Sequence, residues 1–218
     1  MVRSLLAGVA AVLLAGCSVV GVRSGTEQPR FDVVQRLGDD VEIRRYGGLV
    51  AAETVVPPGP DARNAAFRRL AGYIFGDNQG DRRIVMTTPV ETSDAGSRIA
   101  MTAPVGVDDA PDGLRMRFFL PSNLSAATAP VPNDPDVQIV ELPPTVLAVL
   151  RFTGATGDAA VAAAGQRLLG VLASSPWMPT GELSAFFYDP PWTLPPLRRN
   201  EVVVPVERIA TNGSSPRG

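Results

Sequence analysis

The side chains that could perform chemistry in this chain are few, because the sequence contains no histidine and a single cysteine, Cys17. A Ser-His-Asp triad and a two-histidine metal site are therefore excluded. One cysteine also excludes an internal disulfide and a cysteine-based zinc site. Any catalysis would have to use carboxylates, tyrosines or arginines.

Glu201 is the carboxylate with the most unusual surroundings, because the residues that follow it in a predicted strand, 202–204, are all valines. A buried carboxylate has a raised pKa and can act as an acid or a base. One interpretation therefore makes Glu201 a catalytic acid or base. The other places it with residues 198–200 in a hydrogen-bonded corner that closes a barrel, and we favour this structural role.

The N-terminus has the features of an export signal. Arg3 gives a short positive region, and residues 5–16 are almost purely apolar, about half of the roughly 20 residues that a membrane-spanning helix needs. The run ends in Leu-Ala-Gly-Cys at residues 14–17, which resembles the lipobox of bacterial lipoproteins. The resemblance implies that residues 1–16 are a cleaved signal peptide and that Cys17 is lipidated, which anchors the chain to a membrane.

Composition and charge suggest a domain held outside the cytoplasm on a tether. Residues 17–30 form the lipidated N-terminus and a small, polar tether, residues 31–206 the domain, and residues 207–218 a disordered tail. The formal net charge of −2 becomes about −3 when Arg3 leaves with the signal, so no basic patch for nucleic acid is expected. We expect a protein of the cell envelope that faces the periplasm or the exterior.

The domain has the same order of predicted elements twice. Alternating apolar and polar residues predict a strand at 41–46, and further strands are predicted at 49–56, 114–120, 137–142, 145–152, 183–188 and 200–206. Asp61 and Asp158 are predicted to cap two amphipathic helices. The halves, about 41–120 and 137–206, therefore predict an α+β domain, a duplicated antiparallel sheet or distorted barrel with two flanking helices.

Several motifs occur in an order that resembles the SOUL haem-binding protein family, from about residue 41 to residue 206. They are two I-x-M-T-x-P-V heptads at 84–90 and 99–105, Phe-Phe-Leu-Pro at 118–121, Phe-Thr-Gly at 152–154, Tyr-Asp-Pro-Pro-Trp at 188–192 and Arg-Arg-Asn-Glu-Val at 198–202. The resemblance implies a fold similar to the gyrase-inhibitor-like effector-binding domains. It also implies binding of haem or another tetrapyrrole in an apolar cleft beside the first helix.

The candidate ligand-binding residues come from that helix, the heptads and the Tyr-Asp-Pro-Pro-Trp motif. They are Arg63, Phe67, Arg69, Leu70, Tyr73, Met86, Met101, Tyr188 and Trp192. The arginines could hold propionates through paired bonds, although a solvated helix face is the interpretation we favour. Without histidine, a haem-iron ligand would have to be Tyr73, Met86 or Met101, and core packing suits the methionines better.

The leading hypothesis is a lipid-anchored, non-enzymatic protein that binds haem or a similar amphipathic planar molecule without histidine ligation. Two alternatives stay open, a cleft hydrolase that uses Glu201 and an envelope interaction protein with an empty barrel. An open apolar cleft with arginine at its rim would favour binding. An unpaired buried Glu201 would favour catalysis, and a filled core would favour the third function.

Overall fold

The computed structural model describes residues 26–80, 99–100, 102–190 and 192–209. These residues form the α+β architecture that the sequence predicts. The strands are β1 (Phe31–Leu37), β2 (Val41–Tyr46), β3 (Leu49–Val56), β4 (Asn78–Gln79), β5 (Val105–Ala110), β6 (Gly113–Phe119), β7 (Val131–Pro132), β8 (Gln138–Leu142), β9 (Thr145–Phe152), β10 (Trp177–Pro179), β11 (Ser184–Phe187) and β12 (Asn200–Arg208). The helices are α1 (Ala62–Phe75) and α2 (Asp158–Leu172), and a 3-10 helix spans Pro195–Leu197.

One curled antiparallel sheet dominates the described part of the chain. Its strands follow the order β1-β2-β9-β12-β11-β5-β6-β3-β8, with β10 paired to β12. A separate small sheet joins β4 to β7. Because side chains alternate across a strand, every strand of the large sheet presents one set of residues to the concave face and another to the outer face.

The two halves of the chain exchange their first strands. β2 of the first half pairs with β9 of the second, and β8 of the second half pairs with β3 of the first. The two halves of the chain therefore contribute to one continuous sheet. Only Gly47 and Gly48 separate β2 from β3, yet the two strands pair with different neighbours, so the chain passes directly from one arm of the sheet to the other.

Each helix covers the outer face of one arm and buries a separate apolar core. Leu70, Tyr73 and Ile74 of α1 are fully buried against β3 and β6. Leu168 and Leu172 of α2 pack on β9 and β12. Full burial of one such side chain contributes roughly 1.5–3 kcal/mol, which holds both helices to the sheet. A third cluster lies on the concave face and contains Tyr46, Leu147, Val149 and Val203.

The helix starts differ from the predicted caps. Asp61 is the N-cap of α1, but its carboxylate accepts bonds from Asn64 (2.9 Å) and Arg68 (2.8 Å) and caps no backbone N–H. Gly157, rather than Asp158, is the N-cap of α2. Asp158 is the first residue of that helix, where a negative charge is favourable beside the positive end of the helix dipole.

The folded domain extends beyond both of its predicted ends. β1 pairs with β2, and Glu27, in the predicted tether, forms a parallel bridge with Thr102. At the other end β12 runs through Arg208, into the predicted tail. Cys17 and the first heptad lie outside the described residues, and β5 takes only Val105 from the second heptad. No helix within the described ranges is long and apolar enough to cross a bilayer.

Candidate functional site

The concave face of the sheet encloses an open cleft of about 240 Å³. The sheet curls until β5 and β6 lie opposite β9 and β2, so strands far apart in the sheet order line one space. The apolar lining includes Leu49, Val107, Phe119, Leu147, Phe186 and Val203. Polar side chains in the lining include Tyr46, Asp108, Arg117 and Tyr188. The cleft is therefore a mainly apolar site with a few polar groups, as ligand sites usually are.

An aromatic pair forms part of the cleft wall. The rings of Phe119 and Phe186 meet edge to face, with centroids 5.5 Å apart and planes at 75°. Gly106 lies between them, and a Cβ atom at this position would be 3.4 Å from Cε1 of Phe186 and 3.7 Å from Cε2 of Phe119. The absence of a side chain at Gly106 therefore leaves room for both rings.

Asp108 and Arg117 belong to an ion-pair cluster on β3, β5 and β6. Nε of Arg117 lies 2.6 Å from Oε2 of Glu53, and Nη1 lies 3.2 Å from Oδ1 of Asp108. Arg115 also contacts Asp108, at 3.0 Å. Burial raises the pKa of Asp108, and the two guanidiniums oppose that shift. Two carboxylates balance two arginines, so this wall carries fixed charges without a net charge.

Glu201 is fully buried beside the cleft and is held by four hydrogen bonds. Its Oε2 accepts bonds from Nη1 of Arg44 (3.0 Å) and from the hydroxyl of Tyr188 (2.7 Å). Its Oε1 accepts bonds from Nε (3.1 Å) and Nη2 (2.7 Å) of Arg199. A carboxylate with both oxygens so occupied matches the hydrogen-bonded corner of the sequence analysis better than it matches a catalytic base.

The network around Glu201 also fixes the protonation of its neighbours. Burial raises the pKa of Tyr188, and the Glu201 charge adds to the shift. Burial raises the pKa of Tyr46 as well. Burial alone would lower the pKa of Arg44, but the facing Glu201 carboxylate holds it above its ordinary value. Neither phenol nor this guanidinium therefore titrates near neutral pH.

Helix α1 turns its apolar face into the core. Leu70 and Tyr73 are 0% and 1% exposed, and neither is among the residues that line the cleft. The hydroxyl of Tyr73 donates to the carbonyl oxygen of Pro130 (2.9 Å), and burial raises the pKa of this tyrosine to about 12. Met86 and Met101, which were predicted to complete a cleft beside α1, lie outside the described residues.

The predicted arginines of α1 are paired with protein carboxylates. Arg63 contacts Asp158 at 2.8 Å and so links α1 to the start of α2. Arg69 contacts Asp134 at 3.1 Å and Asp136 at 3.0 Å. A ligand carboxylate at either arginine would have to compete with these partners, and propionate binding by them stays a prediction.

The three remaining predicted ligand-binding residues lie in the cleft, on α1 and on an exposed loop. Tyr188 is a predicted ligand-binding residue that lines the cleft. Phe67 is 40% exposed on α1 and packs edge to face on Phe118, with centroids 5.4 Å apart. Trp192 is 64% exposed and is not part of the cleft lining. The ligand contacts of all three stay predictions.

Five lining residues are not among the predicted ligand-binding candidates, namely Gly106, Asp108, Arg117, Phe119 and Phe186. Part of the signal was present, because the strand sequence LRMRFFL alternates and places Arg115, Arg117 and Phe119 on one face. Sequence alone does not show which face curls around a cleft. Among the residues that the structure describes, no group of three or more His, Cys, Asp or Glu side chains could hold a metal ion.

The curled sheet, the two outer helices and the exchanged halves define a domain of the effector-binding type. The C-terminal domain of EcmrR shares the fold with a TM-score of 0.54 and 10% identity, over 77% of this chain and 97% of that chain. A hydrolase from Listeria innocua gives a TM-score of 0.51 and 11% identity, over 77% of this chain and 92% of that chain. At such identities the likeness shows the fold alone, and no curated protein matches the chain.

Comparison of the sequence with protein-family models identifies the family. The family model described as SOUL heme-binding protein matches residues 26–205. The chain therefore belongs to the SOUL family, as its motifs predict. The matched region begins at residue 26, so it includes the short segment that precedes β1 and contacts the cleft.

Proposed function

We propose that this chain binds haem or a related tetrapyrrole in the apolar cleft of the curled sheet. The family supports tetrapyrrole binding as the class of function. The observation that supports the location is the aromatic pair in the cleft wall, where the half-buried ring of Phe186 packs edge to face on the buried ring of Phe119. Covering roughly 200 Å² of apolar ligand surface would contribute about 5 kcal/mol at about 25 cal/mol per Å².

We propose further that the ligand is held through its macrocycle and side groups rather than through iron. The chain has no histidine. Burial raises the pKa values of Tyr46 and Tyr188, so these lining residues do not offer phenolates at neutral pH. Arg117 is a guanidinium in the lining, and a ligand carboxylate would have to compete there with Glu53 and Asp108. The mainly apolar residues of the cleft thus suit the porphyrin ring, but they do not suit an iron atom.

Parallel titrations of the purified protein with haem and with iron-free protoporphyrin test this proposal. We expect saturable binding of both at micromolar concentration, with dissociation constants within about threefold of each other, because iron ligation contributes little. The readouts are the Soret shift for haem and fluorescence for the porphyrin. Absence of saturable binding of either ligand would contradict the proposal, and a strong preference for haem would contradict binding without an iron ligand.

Two substitutions separate the cleft from the surface beside α1. Gly106→Val adds atoms between Phe119 and Phe186 and should weaken porphyrin binding at least about tenfold. Phe67→Ala removes an exposed ring from α1 and should leave binding unchanged. The opposite pattern would move the site to α1, where the sequence analysis placed it.

We propose that lipid on Cys17 anchors the protein in the cell envelope, facing the periplasm or the exterior. Support comes from the apolar run and the Leu-Ala-Gly-Cys pattern before the domain. In bacteria fed a labelled fatty acid, the parent protein should carry the label and sediment with membranes. Cys17→Ser should lose both properties, and a variant that kept both would refute the anchor.

A further inference from the structure

Two cavities of equal size lie next to each other in the structure, each of about 240 Å³. Pro29, Gly47 and Leu49 line both of them. We infer that the two cavities are halves of one ligand groove, which residues 26–30 cross as a displaceable strap. The identity of the ligand in this inference rests on the proposed tetrapyrrole binding.

The volumes of the two cavities explain why residues 26–30 would have to move before a large ligand could bind. Small-molecule sites usually measure about 300–1,000 Å³, and each cavity alone falls below that range. The joined groove, at about 480 Å³ from two equal volumes, falls within it. A rigid macrocycle therefore enters when the strap opens, whereas a smaller ligand fits one cavity with the strap in place.

The strap is held by few contacts. The backbone oxygen of Glu27 accepts a bond from the N–H of Ala103 (2.9 Å), and its Oε1 accepts one from the N–H of Ser122 (3.0 Å). Gln28 accepts a bond from Nη1 of Arg199 at 3.2 Å. No residue from 26 to 30 is buried. Segments with exposed hydrogen bonds and little buried apolar surface open at low free energy.

The end of the strap that leads into β1 allows this motion without damage to the sheet. β1 starts at Phe31 and is fixed by its pairing with β2, so the chain can pivot just before that residue. Arg199, which holds Gln28, also lies over the ring of Tyr188 at 3.9 Å and bonds Glu201. The strap is therefore attached to a side chain that touches the wall of the first cavity.

Locking and releasing the strap test the inference in the full chain with Cys17→Ser. Glu27→Cys with Thr102→Cys joins the two residues of the bridge by a disulfide, and reduction of the same sample provides the matched control. Stopped-flow fluorescence with iron-free protoporphyrin should show association at least about tenfold slower in the oxidised form than in the reduced form. Glu27→Ala with Gln28→Ala should speed association beyond that of the parent.

Equal association rates in the oxidised and reduced forms would overturn the strap while leaving tetrapyrrole binding intact. Failure of the parent to bind porphyrin would instead overturn the proposed function. A ligand-free measurement covers that case, since hydrogen exchange at the amides of Ala103 and Ser122 reports strap opening directly. We expect these amides to exchange at least about a hundredfold faster than the paired amides of β12. Equal protection would refute a displaceable strap.

Discussion

Replacing Glu201 by glutamine tests whether the buried ion network holds the fold together. The substitution keeps the shape of a side chain that is 0% exposed and removes its charge. Arg44 and Arg199 then remain desolvated beside a neutral amide, whose NH₂ group cannot accept their hydrogen bonds.

The expected loss follows from the contacts that remain. Removing one partner of a buried ion pair costs about 3–5 kcal/mol of unfolding free energy. Arg44 keeps Glu42 at 2.8 Å, and Arg199 keeps Gln28 and the ring of Tyr188. We therefore expect the low end of the range, about 3 kcal/mol. With an m-value of about 2 kcal/mol per M in urea, the unfolding midpoint should fall by about 1.5 M.

Urea unfolding followed by tryptophan fluorescence measures this change. Glu207→Gln is the matched control, because Glu207 lies on the same strand with an exposed side chain. It should shift the midpoint by no more than about 0.25 M, since surface substitutions usually change stability by less than about 0.5 kcal/mol. If the unfolding midpoint of Glu201→Gln also lay within about 0.25 M of the parent's midpoint, the idea of a stabilising network would be refuted.

Two further predictions concern the cleft and the tyrosines. Gly106→Val should leave the far-ultraviolet circular dichroism spectrum unchanged while closing the cleft against Phe186, and loss of the spectrum would show a folding defect instead. Burial raises the pKa values of Tyr46, Tyr73 and Tyr188, that of Tyr73 to about 12, so absorbance at about 295 nm should show little phenolate at about pH 10, where a free tyrosine is half ionised. The folded-state pKa of Tyr73 lies above its unfolded value, so its contribution to stability is complete below about pH 10 and is lost as pH rises through about 12. Half-ionisation of the tyrosines at about pH 10 in the folded protein would contradict these shifts.

The strands were predictable wherever their pattern is local and one face is buried. The predicted bounds of β2, β3 and β9 agree with the structure, because β2 alternates apolar and polar residues and because β3 and β9 are mostly apolar runs flanked by Gly and Pro residues. β1 was missed because it lies at the edge of the sheet, where none of its seven residues is buried. The exchange of β2 and β8 depends on pairing between distant segments, which no local pattern encodes.

The cleft was harder to predict than the fold, and α1 shows why. Its apolar stripe through Leu70 and Tyr73 was assigned both to the core and to a ligand site, but a single stripe buried under the sheet cannot also line an open cleft. The cleft instead uses the other face of the sheet, where Phe119 follows the core residue Phe118 in β6. Choosing between adjacent residues of one strand requires knowledge of the direction in which the sheet curls.

The exchange of first strands makes the order of synthesis matter for folding. β2 is made early, but its partner β9 follows only at residues 145–152, and β12, on the other side of β9, ends at Arg208. A chain cut between the halves would expose unpaired strand edges on both fragments, and such edges promote aggregation. Pairing over such sequence distances slows folding. The domain is therefore one cooperative unit, and its native state forms only after nearly the whole chain has been made.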